Sequence, residues 1–124
     1  MANPTIPSGG KNREFHCATA NFIWDATAAG SYDSTILVPT GAQIVSIATM
    51  CGAIAPTTGA NIRVTVGGTN AMATIAFAQY DAVGEATVAL QADGLTASLS
   101  GAIGLTTTGV HDAGVTKVTV CYIV

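Results

Sequence analysis

Residues 61–66 read Asn-Ile-Arg-Val-Thr-Val, which puts Ile62, Val64 and Val66 on one side of an extended chain and Arg63 and Thr65 on the other. Alternation with a period of two belongs to a strand with one buried face and cannot be met by a helix. The pattern recurs. Residues 85–91 turn Ala86, Val88 and Leu90 inward, and Leu95, Ala97 and Leu99 alternate with Thr96, Ser98 and Ser100. At the C-terminus Val118, Val120, Tyr122 and Val124 lie opposite Lys117, Thr119 and Cys121. Residues 44–51 are apolar on both faces, as in a central strand or one covered by a partner. Residues 74–79 lie in an alanine-rich stretch and are read as a strand in preference to a short helix.

Turn chemistry separates these pieces at short intervals. Val38-Pro39-Thr40-Gly41 joins two strands, Gly67-Gly68 supplies the positive φ of a tight reversal, and Ala92-Asp93-Gly94 fits a hairpin. Thr107-Thr108-Gly109 and His111-Asp112-Ala113-Gly114 bound a longer loop before the last strand. About eight strands at this spacing predict an all-β fold, an antiparallel β-sandwich of jelly-roll-like form spanning residues 15–124. Residues 1–14 contain Pro4, Pro7 and a Ser8-Gly9-Gly10 turn, and read as an extended N-terminal arm.

Composition then limits function. Only eleven of the 124 residues are charged, four basic and seven acidic, and between Ser34 and Tyr80 Arg63 stands alone. A typical soluble domain is about a quarter charged. A folded monomer of 12.4 kDa exposes roughly 6,000 Å², and so few charges cannot cover it. The expectation is that part of the surface is hidden against copies of the same chain or a larger assembly. A net charge of −3 with Lys11, Arg13, Arg63 and Lys117 scattered argues against nucleic acid as a partner. No apolar run approaches the length of a membrane span, and no secretory signal is apparent, so no membrane partner is expected and folding is expected in a cytoplasm. Cys17, Cys51 and Cys121, odd in number and widely spaced, are read as reduced, packed side chains, with one bridged pair or an intermolecular link as the alternative.

The chemistry-bearing residues are few. There is no Walker A loop, dinucleotide fingerprint, nucleophile elbow or zinc-spaced Cys/His set, so no enzyme activity and no cofactor are expected. His16 reads as a half-exposed strand residue, and His111-Asp112 as part of a loop without the further ligands a metal-dependent hydrolase needs. Asp25 and Asp33 bracket a loop and could share Ca²⁺, although such aspartates more often cap turns. Trp24 and Tyr32 flank the same loop and read either as a sugar-stacking platform or, preferably for Trp24, as a core or subunit-interface anchor.

Pro39-Thr40-Gly41-Ala42-Gln43-Ile44-Val45 is a turn leading into an apolar strand. It is followed by Gly59-Ala60-Asn61-Ile62-Arg63-Val64-Thr65-Val66-Gly67, then by residues 92–99, then by residues 115–123. This order resembles that of small β-sandwich virion proteins of tailed bacteriophages, including head decoration (cement) proteins, over residues 34–124. The resemblance implies a non-enzymatic homotrimer, made in the host cytoplasm, that binds the major capsid protein on the head surface and braces the shell. On that reading Pro4, Ile6, Pro7, Lys11 and Arg13 contact the capsid. Ile44, Ser46, Ala48, Met50 and Trp24 form the subunit interface. The alternative is a tail or fibre module that recognises host-surface carbohydrate through Trp24, Tyr32 and Tyr80.

Overall fold

The computed structural model describes residues 14–90, 95–96 and 98–124. Eight strands run through them: β1 (Phe15–Thr27), β2 (Gly30–Val38), β3 (Gln43–Cys51), β4 (Ile62–Val66), β5 (Thr69–Asn70), β6 (Ala86–Leu90), β7 (Gly101–Thr107) and β8 (His111–Ile123). They form two antiparallel sheets of four. One has the order β1-β8-β3-β6 and is called sheet A below; the other, sheet B, has the order β2-β7-β4-β5. The chain is thus an all-β sandwich, as the alternation predicts.

The core lies between the sheets. From sheet A it receives Ala20, Phe22, Trp24, Ile44, Ile47, Ala89, Val118 and Val120; from sheet B, Val38, Ile62, Val64, Val66, Ile103 and Leu105. Most of these side chains are small or β-branched, which suits a thin layer between pleated surfaces. The turns at residues 38–41 and 67–68 hold as read. The N–H of Ala42 donates to the Pro39 carbonyl at 3.2 Å, with Gly41 at φ 85° between them. Gly67 and Gly68, at φ 62° and 81°, carry the chain from β4 into β5. Two consecutive positive φ values are what a type I′ hairpin turn requires, and only glycine takes both cheaply.

Several local expectations are corrected. Residues 74–79 hold no strand: Ile75 makes a single bridge to Ile62, and Phe77–Gln79 is one turn of 3₁₀ helix. The turn closes on itself instead, the Ala76 N–H donating to the Gln79 side-chain carbonyl at 2.9 Å and the Phe77 ring meeting that of Tyr80. The described residues between 95 and 100 are irregular, with Leu95 buried and Leu99 partly so. In β6 the inward face is inverted. Ala89 is buried and Thr87 half-buried, whereas Val88 and Leu90 are exposed. Alternation fixes that two faces differ but not which faces the core, and here the larger residues face out. The loop expected between Asp25 and Asp33 is mostly strand, with only residues 28–29 connecting β1 to β2. The loop before the last strand likewise shrinks to residues 108–110, and His111 opens β8. The Ala92-Asp93-Gly94 turn and the arm, apart from Glu14, lie outside the described residues.

The cysteines are the largest correction. Cys17 and Cys121 stand opposite each other in the β1–β8 ladder and are joined by a disulfide, with Cα atoms 4.1 Å apart. Only register could bring together two residues 104 positions apart, and register was not readable from spacing. Cys51 is free and buried, as expected of a packed thiol. Burial, together with Glu85 and Asp81 nearby, pushes its thiol pKa up.

Candidate interaction surface

In each strand of sheet A, the residues between core positions face away from the sandwich. Register arranges them in rows across the four strands. Cys17, Cys121, Ser46 and Leu90 form one row; Thr19, Thr119, Ala48 and Val88 the next; Asn21, Lys117, Met50 and Ala86 the third. Ile23 and Val115 pair beyond them. Across these three rows and that pair, Lys117 is the one charged side chain. Ile23 is 76% exposed, Val88 56% and Leu90 51%. The disulfide and a Thr19–Thr119 hydroxyl bond of 2.9 Å tie β1 to β8 within the face.

The outer face of sheet B is polar by comparison. Ser31, Asp33, Arg63, Thr65 and Thr106 alternate with the core residues of β2, β4 and β7. The Ser31 and Thr106 hydroxyls are 3.2 Å apart, and the Arg63 guanidinium donates to the Met72 carbonyl at 2.8 Å. Gly104 lies at the centre. A Cβ there would come within 2.5 Å of the Asp33 carboxylate, 2.6 Å of the Thr65 hydroxyl and 2.8 Å of the Tyr32 carbonyl. The neighbours therefore close over the glycine from both sides. The outer face of sheet A is thus the more apolar of the two, although Leu37, opposite Ala102 on sheet B, is also exposed; residues of both kinds come from the same period-two pattern.

Inside the sandwich a second group of chemistry-bearing side chains meets. Trp24 stacks on His111 with ring centroids 4.3 Å apart, and its indole N–H donates to the Thr116 hydroxyl at 2.8 Å. His111 is fully buried, with its Nε2 2.6 Å from the Tyr80 hydroxyl, which in turn donates to the Ala60 carbonyl. That leaves Tyr80 to accept from His111, so the neutral Nε2–H tautomer satisfies the pair. Desolvation holds the imidazole pKa below its usual value of 6.5, and it raises that of the Tyr80 phenol. Both shifts favour neutral groups, as burial without a counter-charge must. Next to this pair, Asp112 accepts from the backbone N–H groups of Thr57 and Thr58 at 3.1 and 3.0 Å and from the Thr57 hydroxyl. Those bonds hold its carboxyl well below the ordinary carboxylate range. Asp112 thus ties the segment after β3 to the start of β8.

The residues singled out from sequence separate into three groups. Ser46, Ala48 and Met50 lie on the outer face of sheet A. Ile44 and Trp24 are 0% and 3% exposed within the chain's own core and present no surface to a second copy. Trp24 also stacks on His111 and meets Tyr32 edge-to-face, and at 3% exposure it offers little surface to a sugar ring. Tyr80, the third residue of that reading, is fully buried. The arm residues Pro4, Ile6, Pro7, Lys11 and Arg13 lie outside the described residues. His16 is half-exposed as expected, with 45% of its side chain accessible, stacked on Tyr122 and 3.1 Å from the Glu14 carboxylate. Among the described residues no group of three or more metal-ligating side chains gathers. Asp25 and Asp33 stand on different sheets, the first near the end of β1 and the second within β2.

Sequence reasoning missed the outward-facing Val88, Leu90 and Ile23. Alternation alone assigns the first two to the core. An available signal was that Ala89, the smaller residue, could pack in a thin core where Val and Leu on one edge strand would not be needed.

The chain matches no protein-family model. It also matches no curated protein. Among solved structures it is similar to a chain of the acidic stable capsid structure of Helicobacter pylori bacteriophage KHP30. Identity is 22% and the TM-score 0.61, over 89% of this chain and 87% of that one. It also aligns with a chain of the disulfide-linked pili of Bacillus endospore appendages, at 17% identity and a TM-score of 0.44, over 98% and 97% of the two chains. At these identities the first likeness is one of fold, and the second is too slight to carry an argument.

Proposed function

We propose that this chain is a structural protein of a virion, a decoration (cement) protein that self-associates on a phage head shell and braces it. The observation that carries the reading is the outer face of sheet A. Rows of Thr, Ser, Ala, Val, Leu and Met with Asn21, the cystine and Lys117 as the one charge are less suited to permanent contact with water than to burial against a like surface. The polar outer face of sheet B gives the same subunit a side to turn to solvent. The similarity of fold to a chain from a phage capsid structure supports the setting, and the strand order β1-β8-β3-β6 with β2-β7-β4-β5 is read as a jelly roll. A homotrimer places three such faces around one axis. The partner beneath is the major capsid protein of the head, and Pro4, Ile6, Pro7, Lys11 and Arg13 extend from the body to a neighbouring subunit of the shell. The role requires no cofactor and no chemistry beyond binding.

Ala48 sits in the middle of the face, between Thr119 of β8 and Val88 of β6. Ala48→Glu should leave the sandwich folded, because the side chain points away from the core. It should reduce the mass in solution to that of one chain and abolish co-sedimentation with expanded head shells. Thr35→Glu, on the exposed side of sheet B, is the control and should change neither. An Ala48→Glu protein that still self-associates and still binds shells would refute the assignment of this face.

A further inference from the structure

The two edges of sheet A have a complementary geometry that the composition of its face does not reveal. Glu14 and Val124 exchange both backbone hydrogen bonds, at 3.2 and 3.0 Å. In an antiparallel ladder such pairs alternate with non-bonded ones. The even-numbered residues of β1 therefore turn their N–H and C=O toward β8, and Phe15, Cys17, Thr19, Asn21 and Ile23 turn theirs away from it. The 4.1 Å Cα spacing of Cys17 and Cys121 is the close spacing of a non-bonded pair and agrees. At the opposite edge the Cys51 N–H donates to the Glu85 carbonyl at 3.0 Å. That assigns the backbone groups of Glu85, Thr87 and Ala89 to β3 and directs those of Ala86 and Val88 away from it.

Among the described residues, each edge therefore directs outward the backbone of residues whose side chains lie on the apolar outer face. In a hydrogen-bonded antiparallel pair, facing side chains share one side of the sheet. Joining Ala86 and Val88 to the odd-numbered residues of β1 would continue the apolar face without inverting it. Direction agrees as well. Every neighbour in β1-β8-β3-β6 is antiparallel, so β6 runs opposite to β1. A second copy rotated about an axis parallel to the strands brings its β1 antiparallel to the first copy's β6. Neither strand contains a Lys or a Pro, the usual guards of an open edge.

We infer that β6 of one copy pairs antiparallel with β1 of the next, so that sheet A runs unbroken through the oligomer. The interface is head-to-tail, and its repetition gives a ring where the rotation between copies closes, as in the proposed trimer. This rests on the self-association proposed above and names its mode. The test is Val88→Pro in the full chain. The substitution removes an N–H directed away from β3, so the β3–β6 ladder is kept and edge strands accept proline there. Circular dichroism and the disulfide should be unchanged, while light scattering should give the mass of one chain, 12.4 kDa. Hydrogen exchange on the wild-type oligomer provides a readout independent of the variant. The amides of Val88, Thr19 and Asn21 should be protected and should lose that protection on dilution to monomer. An oligomer of unchanged mass in Val88→Pro would overturn the pairing while leaving self-association in place. Protection of Thr19 and Asn21 without Val88 would also overturn it, by showing that another strand, such as the arm of a second copy, occupies the β1 edge. A wild-type monomer, both free and on shells, would remove the self-association reading and this inference together.

Discussion

Reducing the Cys17–Cys121 disulfide should lower the stability of the chain by an amount set by the loop that the bond closes. The two cysteines are 104 residues apart, so the bond restrains nearly the whole unfolded chain. Loop-closure entropy for that length corresponds to roughly 4.7 kcal/mol at 25 °C. In the folded state the β1–β8 ladder already holds the two strands together, so reduction should remove little native contact and act through the unfolded ensemble. Domains of this size are commonly stable by about 5–15 kcal/mol, so the loss is a large fraction of the total. It corresponds to a fall in melting temperature on the order of 10–20 °C. The assay is thermal unfolding at fixed protein concentration with and without reductant, beside the double variant Cys17→Ser, Cys121→Ser. Reduced wild type and the double variant should melt together, well below the oxidised protein. Thiol titration of the denatured, unreduced chain should find one reactive thiol, that of Cys51. Three thiols in protein that has never met reductant, or an unchanged melting temperature on reduction, would refute the reasoning.

Two further outcomes follow from the interior. Because folding lowers the pKa of His111 below its usual 6.5, the unfolded state binds the proton more readily. Stability from this residue is complete above that pH and should fall as pH drops below it, by up to about 1.4 kcal/mol per pH unit until the folded-state pKa is reached. His111→Gln should flatten that part of a denaturant-midpoint profile against pH, and a wild-type profile flat between pH 7 and 5 would contradict the buried, neutral assignment. Gly104→Ala should destabilise sheet B, since the added Cβ meets the fixed Tyr32 carbonyl at 2.8 Å. Overpacking of this kind costs typically 1–3 kcal/mol, measurable as a lower urea midpoint, and a variant as stable as wild type would mean the strands spread freely there.

Strands with clean alternation were legible because a single buried face writes itself into every second residue, as in β4 and the end of β8. The glycine-rich turns were legible for the same local reason. What could not be read was anything set by pairing between distant strands. Cys17 and Cys121 are neighbours only in the β1–β8 register. His111 looked like a loop residue because glycines surround it, yet Gly114 lies within β8, at φ 112°. Gly59 leaves room beside it for the Phe77 and His111 rings, so the glycines serve close packing there as much as turning. The candidate surface was half legible. Ser46, Ala48 and Met50 were singled out because their strand is apolar on both faces. Ile44 and Trp24 were attached to it because a large apolar residue looks the same in sequence whether it meets its own core or a partner. Val88 and Leu90 were missed for the converse reason.

The most direct test of the central claim is the mass of the full chain in solution, by light scattering behind size exclusion, for wild type and Ala48→Glu side by side. Burial of the outer face of sheet A in self-association predicts a multiple of 12.4 kDa for wild type, three chains for the proposed trimer, and one chain for a folded Ala48→Glu. A wild-type protein that stays a stable, soluble monomer both free and on head shells would contradict it.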